Sequence, residues 1–498
     1  MNDKVLKMSI ENVKGINQLE FIFPLQPGIY AITGENGSGK STLISCASSV
    51  FYQMPMIDFF GRPDNAAIEF SLDDCTRSWK CDGKKWIKIT SDKRMRINGF
   101  YEGSIIFGNR FKDTDFSTIK KLDELGNDDI LPAKEFIYKN MGRILKNDEG
   151  YYKGLYIVKK DKANSLGLRG EAFCLRKGNN QLISQPRMST GENLLLSILR
   201  SLEYVQKKRI SNSDGRPCIV FLDEIELALH SSALRRLIIF LKEISKDLEL
   251  SIFFSTHSID LLREIKSQNI YYLDSYEEES IIITNPCYPA YATRNLYGDD
   301  GYGNDIVILV EDDLAKLIIE KLMYKKHFIK NIRIKILPTG GWANTIKMAY
   351  DITTSNLLQK GTKLAVILDR DIKDEVPKFI KSHKQYSGIK PDYLPIESLE
   401  KYLYSKLIIK LDKALFDELD TYLFQKRPLS EILKEAKKSI NQNSDDNKDK
   451  TFYGLLIQEV RSMKKEREEI IDIVVRYVIE NENCVEEVSQ YIIDKVNA

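Results

Sequence analysis

The sequence predicts an α/β protein of more than one domain, on three observations. A glycine-rich turn, Gly34-Glu35-Asn36-Gly37-Ser38-Gly39-Lys40-Ser41-Thr42, lies between an apolar run (Ile29 to Thr33) and a helical-looking one (Leu43 to Tyr52). Continuous apolar runs at 218–222, 306–310 and 364–368 each end in acids, as expected of strands buried on both faces of a parallel sheet. At 498 residues the chain exceeds one ordinary hydrophobic core, so two or three domains are expected.

Apolar residues make up 43% and charged residues 29%, the balance of a soluble globular chain. The 74 Lys and Arg against 72 Asp and Glu leave a net charge of +2, so bulk charge announces no nucleic-acid partner, although a local basic groove is compatible with it. No apolar run reaches the roughly 18 residues a membrane span needs. The start, Met1-Asn2-Asp3-Lys4, has no signal-peptide core. A cytoplasmic protein without membrane contact is expected. The seven cysteines are scattered and form no C-x-x-C pair, which favours reduced thiols over disulfides or a zinc site.

In chain order, Val5 to Ile10 and Leu19 to Phe23 alternate apolar and polar residues around a turn at Lys14 to Asn17, predicting a hairpin. The glycine turn fits G-x-x-x-x-G-K-[ST] between strand and helix, where backbone N–H groups and the positive helix end cradle phosphates. Asn36, Gly37, Ser38, Gly39, Lys40, Ser41 and Thr42 are the candidate nucleotide-binding residues. Lys40 would reach the outer phosphates, and Ser41 would place its hydroxyl on Mg²⁺. Short strands are expected at 67–70, 86–89 and 104–107, then an insertion over about 111–180 with a candidate helix near 133–145.

The run 218–222 ends in Asp223-Glu224. At a strand's C-terminal edge Asp223 would support the metal, and Glu224 would take the proton of the attacking water. A second run, 251–255, leads to Thr256-His257-Ser258, where His257 would contact the terminal phosphate. Helix caps and a satisfied strand-end histidine are the plainer alternatives. Met188-Ser189-Thr190-Gly191-Glu192-Asn193 then opens an apolar helix, a pattern that also suits a simple N-cap with an acidic first turn.

An acidic, Tyr- and Gly-rich stretch up to 303 marks a domain boundary. Beyond it, strands at 306–310, 332–337 and 364–368 end in Glu311-Asp312-Asp313, Pro338-Thr339-Gly340-Gly341-Trp342 and Asp369-Arg370-Asp371, with a helix over 314–323. If the first and third are neighbours in one parallel sheet, Glu311, Asp369 and Asp371 converge, the alternation at 369 and 371 pointing both carboxylates one way. Such a cluster calls for Mg²⁺ or Mn²⁺, or else forms only acidic loop ends and helix caps. The remainder is helical and charged; Lys448 or Lys450, beside the polar loop 441–446, could neutralise a phosphate, while 463–469 suits an exposed helix face.

The order of phosphate loop, Ser-Thr-Gly-Glu, Asp-Glu strand and Ser-Thr-His-Ser resembles the ABC-type ATPases of the SMC and DNA-repair branch. The resemblance implies that Ser189 and Gly191 contact ATP held by a second subunit, making a homodimer or higher assembly through the ATPase heads. No counterpart of that family's glutamine loop is found, Gln53 lying too close to the phosphate loop. The second half resembles the TOPRIM domain, and the whole order resembles the OLD-family nucleases found in anti-phage systems such as Gabija and some retrons.

The resemblance implies an ABC/SMC-like ATPase head over 1–290 with a helical insertion, a candidate for dimerisation, a linker at 291–303, a TOPRIM domain over 304–400 and a helical extension over 401–498. It implies an ATP-gated, Mg²⁺-dependent DNA endonuclease in bacterial antiviral defence. Catalytic roles fall to Glu224, Glu311, Asp369 and Asp371, and metal ligation to Ser41, Asp223, Glu311, Asp313, Asp369, Asp371 and Glu397. Many relatives carry an acid four positions after the Glu; here Ala315 holds that place, with Asp313 as the substitute ligand. Glu397 or Glu400 matches a later acidic motif. Partners implied are DNA and ATP, with room for a partner protein or a reverse transcriptase with structured RNA or DNA. The alternatives are a nucleotide-switched DNA clamp that signals without cutting, and a repair-type ATPase.

Overall fold

The computed structural model describes residues 4–51, 57–90, 95–103, 115–168, 171–178, 181–211, 216–276, 280–294, 303–326, 331–442, 447–481 and 485–497. The expected strand at 104–107 and Gln53 lie outside these residues, as do residues 295–302 of the expected linker, whose start falls in the short helix Pro289–Ala292. Two compact units divide the chain, Met1–Asp299 and Asp300–Ala498. Among the described residues no helix is long and apolar enough to cross a membrane. The described cysteines are free thiols.

In the first unit, the alternating runs form β1 (Val5–Val13) and β2 (Ile16–Pro24), an antiparallel hairpin turning where Lys14 and Gly15 take positive φ. The phosphate-loop strand is β3 (Gly28–Gly34), followed by the helix Lys40–Ser48. Strands β4 (Asp64–Leu72), β5 (Cys75–Asp82), β6 (Trp86–Thr90) and β7 (Asn98–Gly103) come next. The sequence reading missed β5 and β7, whose polar composition masks their register.

The insertion is not simply helical. Besides the helices Phe116–Asp123, Glu135–Lys146 and Lys160–Ser165, it carries β8 (Ile130–Pro132), β9 (Leu155–Val158), β10 (Phe173–Arg176) and β11 (Leu182–Ser184) in an antiparallel four-stranded sheet. Strands of three or four residues are too short to display a period of two, which is why the pattern weakens there.

Strands β12 (Cys218–Asp223), β13 (Leu250–Ser255), β14 (Ile270–Tyr276) and β15 (Ser280–Thr284) complete an eleven-stranded sheet of order β6-β5-β4-β1-β2-β15-β14-β3-β13-β12-β7. Its β14-β3-β13-β12-β7 portion is wholly parallel. Alternation sorts each strand between two cores. Ile29, Ala31, Val220 and Leu222 pack with the helices Thr190–Ser211 and Ser231–Asp247, whereas Tyr30, Ile32, Ile219 and Phe221 pack with β1, β2 and the helix Lys40–Ser48.

In the second unit, β16 (Ile306–Val310), β17 (Ile334–Pro338), β18 (Lys363–Leu368) and β19 (Asp392–Tyr393) form a parallel sheet of order β17-β16-β18-β19. Ile306, Ile308 and Val310 face a core shared with the C-terminal helices, including Leu399, Val474 and Val488. Val307 and Leu309 face the other side, with Ile346, Ile352 and Tyr386. The strands bearing Glu311 and Asp369 are therefore adjacent, as the converging-carboxylate reading requires.

Candidate functional site

The C-terminal ends of β3, β13 and β12 lie level. Ser255 pairs with Ile32, and Phe254 with both Ala31 and Leu222, so Asp223 and Ser255 end their strands beside the phosphate loop. Gly34, Gly37 and Gly39 all have positive φ. At Gly34 a side chain would also stand 2.3 Å from the Leu273 carbonyl oxygen and 2.6 Å from Ser38 Oγ, so only glycine fits. Ser38 and Thr42 are buried, while Asn36 and Gly37 are exposed.

Lys40 Nζ donates to the carbonyl oxygens of Gly34 at 3.1 Å and Glu35 at 2.7 Å. Burial holds its pKa down at about 8, against the pull of Asp223, Glu224, Glu226 and Glu35. Such an ammonium is short of counter-charge satisfaction, which is what a phosphate supplies. Asp223 is 1% exposed; its Oδ1 accepts from Ser255 Oγ at 2.5 Å and Ser41 Oγ at 3.3 Å, and its Oδ2 is buried without a hydrogen-bond partner. Burial pushes Asp223 up to about 6, with Glu224 and Glu226 adding to the rise and the Ser255 and Ser41 hydroxyls opposing it. A partly buried Ser41 beside a buried Asp223 with one idle carboxylate oxygen fits a hydrated Mg²⁺ carried in on a nucleotide.

Glu224 sits at φ 53, a left-handed conformation that turns the chain sharply out of β12, and its amide donates to Ser255 Oγ at 2.8 Å. Ser255 thus holds both acids. Glu226 accepts from the His257 amide at 2.8 Å and Thr256 Oγ1 at 3.0 Å. His257 Nδ1 is buried with no hydrogen-bond partner, and burial together with the nearby Lys40 charge lowers its pKa, so the ring stays neutral near pH 7. Ser255 and Glu226 escaped the sequence reading. Their roles come from cross-strand pairing, and the local signal available was only a serine directly before Thr256-His257.

Ser189 is exposed ahead of the helix Thr190–Ser211, and it makes the plain capping box: its amide and hydroxyl both donate to Glu192 Oε2 at 2.8 Å, and the Glu192 amide returns to Ser189 Oγ at 3.3 Å. Tyr152 of the insertion donates to Glu192 Oε1 at 2.8 Å. A side chain on Gly191 would stand 2.5 Å from the carbonyl oxygen of Ala228, in the turn that follows Glu224.

In the second unit the Asp369 amide donates to Glu311 Oε1 at 2.8 Å, joining the ends of β18 and β16. Gly340 and Gly341 donate their amides to the Glu311 carbonyl at 2.9 and 3.2 Å. Asp369 is 4% exposed and its Oδ1 has no hydrogen-bond partner. Burial and then the charges of Glu311, Asp312, Asp371 and Glu400 push it up to about 9. Burial also raises Glu311, aided by Asp371 and Asp312 and opposed by the Asp369 amide.

Asp371 does not follow by strand alternation, because β18 stops at Leu368 and residues Arg370–Ile372 form a 3₁₀ turn. Its Oδ2 pairs with Lys401 Nζ at 2.6 Å, while its Oδ1 is buried and unpartnered. Asp313 is exposed in the first turn of the helix Asp313–Lys326, and Glu397 is exposed before the helix Leu399–Tyr404. Among the described residues no three His, Cys, Asp or Glu side chains stand together as a metal-holding group. The arrangement brought together is the pair Glu311 and Asp369 with Asp371 beside it. Its idle buried oxygens and raised carboxyls are what a divalent cation would relieve. Lys448 and Lys450 are exposed; Lys401 is the ammonium in contact with the cluster.

A family model described as an AAA domain (AAA_23) matches residues 7–282, more than half of the chain. The chain belongs to that AAA domain family. The AAA domain is an ATPase-type domain, and its match spans the phosphate loop, Ser189, Asp223 and His257. Solved structures similar to it include an SMC head domain from Thermotoga maritima, at 14% identity and TM-score 0.32, covering 57% of this chain and 98% of that one. An Smc head domain from Pyrococcus furiosus with an extended coiled coil, bound to the C-terminal domain of ScpA, matches at 12% identity and TM-score 0.35, covering 56% and 96%. The recombination mediator RecF with ATP matches at 12% identity and TM-score 0.32, covering 57% and 98%. No curated protein matches the sequence.

Proposed function

We propose that the chain is an ATP-gated, Mg²⁺-dependent DNA endonuclease of the OLD type, acting in bacterial antiviral defence. The observation that carries the nuclease half is the pairing of a partly buried Glu311 with a buried Asp369 across adjacent parallel strands, Asp369 being pushed far above the usual carboxylate range. Two acids so placed are costly to fold without a cation, and a site kept at such cost is a candidate for chemistry. The motif order supports the OLD-type and defence readings, in which DNA is the substrate.

In the AAA domain, Lys40 and the loop amides would hold the phosphates, Ser41 and Asp223 would hold a Mg²⁺ ion, and Glu224 would take a proton from the water that attacks the terminal phosphate. His257, neutral, offers a hydrogen bond to that phosphate. Ser189 and Gly191 serve a nucleotide held by a second copy, so ATP assembles a homodimer. In the second unit Glu311, Asp369 and Asp371 would hold a hydrated divalent cation beside the DNA strand, with Asp313 or Glu397 as further ligands. Bound Mg²⁺ or Mn²⁺ supplies charge neutralisation at the scissile phosphate and a more acidic water.

The test is cleavage of plasmid DNA with Mg²⁺ or Mn²⁺ by wild type, Glu311→Gln and Asp369→Asn. Cutting by wild type alone supports the proposal. Cutting that survives in both variants removes the site assignment, and DNA retention without cutting under either metal turns the reading to the clamp.

A further inference from the structure

A cavity of about 410 Å³ lies at the opposite edge of the large sheet from the phosphate loop, where β7 begins at Asn98 and β12 begins at Cys218. Five cations line it: Arg77, Arg96, Lys208, Arg209 and Arg216. Among the described residues its wall carries no carboxylate. Two aromatic rings, Phe51 and Tyr204, complete it, and Tyr204 is 59% exposed with Lys208 Nζ 4.7 Å from its ring centroid.

Five cations around one space raise the potential inside it, and an entering anion gains from each of them. Part of the cluster has a local explanation. Lys208 and Arg209 fall in the last turn of the helix Thr190–Ser211, where cations complement the helix dipole. Arg209 also pairs with Glu249 at 3.0 Å, and Arg77 donates to the Val50 and Met95 carbonyl oxygens. Arg77, Arg96 and Arg216 come from β5 and from segments outside any helix, and they line the same space. The volume suits a drug-sized ligand and is too small for a duplex. Guanidinium forks beside aromatic faces are the pairing that recognises phosphates next to a base.

The geometry points to a second anion site, one that takes a small polyphosphate, either a nucleotide or a free oligophosphate, at the edge of the sheet away from Lys40. The site has a mechanical route to the first. The helix Thr190–Ser211 starts beside Ser189 and Gly191 and delivers Tyr204, Val205, Lys208 and Arg209 to the cavity, and the helix Lys40–Ser48 starts at the phosphate loop and is followed by Val50 and Phe51 in the cavity wall.

The test counts bound equivalents by calorimetry, using a non-hydrolysable ATP analogue with Mg²⁺ and, separately, inorganic tripolyphosphate. The expected result is two equivalents per wild-type chain. Arg96→Glu combined with Lys208→Glu, both exposed positions, should weaken one of them by about tenfold or more, as loss of a charge-assisted phosphate contact implies. Lys40→Ala should remove the other. Tripolyphosphate bound as tightly as the analogue at the second site assigns a free oligophosphate; an analogue bound about tenfold tighter assigns a nucleotide. A single equivalent in wild type, or a second equivalent that survives the double charge reversal, overturns the inference. The double variant decides it even if Lys40→Ala does not fold.

Discussion

The hydroxyl of Ser255 stands 2.5 Å from Asp223 Oδ1 and accepts the amide of Glu224, so one side chain of β13 fixes both acids that end β12. Ser255→Ala leaves a buried carboxylate short of a donor and a partly buried amide without its acceptor, worth roughly 1–3 kcal/mol. Steady-state ATP turnover should fall by about 5- to 150-fold, the same range expressed as a rate. Unchanged turnover with normal folding would show that the strand holds Asp223 without the hydroxyl.

Glu224→Gln should keep nucleotide and lose hydrolysis. Removal of a general base costs about 100-fold or more in rate, while the phosphates remain held by the loop and Lys40. Nucleotide titration and single-turnover hydrolysis separate the two effects. A variant that hydrolyses normally assigns the base elsewhere.

Asp369→Asn should raise the melting temperature in EDTA even as it abolishes the metal-dependent cutting proposed for this site. The substitution removes a buried acid that stands beside the partly buried Glu311 and keeps the shape, a gain on the order of 1–3 kcal/mol. Added Mg²⁺ should stabilise wild type and leave the variant nearly unmoved, read by thermal melts with and without the ion. Equal melting temperatures in EDTA would argue that the pair is not under electrostatic strain.

Asp412 ties together three parts of the C-terminal region. Its Oδ1 accepts from the Leu415 amide at 3.3 Å, capping the helix Lys413–Tyr422, and from Tyr477 OH at 2.7 Å, while Lys406 lies 3.5 Å from Oδ2. Burial alone would raise its pKa; the Tyr477 hydroxyl, the Leu415 amide and Lys406 outweigh that and lower it. A carboxyl depressed by folding contributes stability above its unfolded value, and the contribution disappears as pH falls through the folded value. Asp412→Ala should therefore cost about 1–2 kcal/mol at neutral pH, with a difference from wild type that shrinks below about pH 4 in chemical denaturation.

Strand placement was legible wherever burial was two-sided. The runs at 218–222, 251–255, 306–310 and 364–368 are all strands of the parallel sheets, because continuous apolar sequence has few other uses at that length. The polar strand Cys75–Asp82 was hidden, since its partners across the sheet, and not its own pattern, bury Trp79 and Cys81. At the candidate sites, position within a motif was readable and partnership was not. Glu311 and Asp369 stand at neighbouring strand ends as strand order suggests, yet the pull of Lys401 on Asp371 depends on a helix 30 residues further on. Ser255 and Glu226 belong to the same class: their work is done across the sheet, where local sequence carries no trace.

The glycine at 191 has a mechanical corollary. With no room for even a methyl group between it and the Ala228 carbonyl, the loop that presents Ser189 and the bend leaving Glu224 ride as one yoke. On the proposed reading, a shift of the bend at Glu224 when the terminal phosphate departs would also shift Ser189, which is there assigned to a second copy. In the proposed dimer, release of the neighbour would then follow turnover through a main-chain contact.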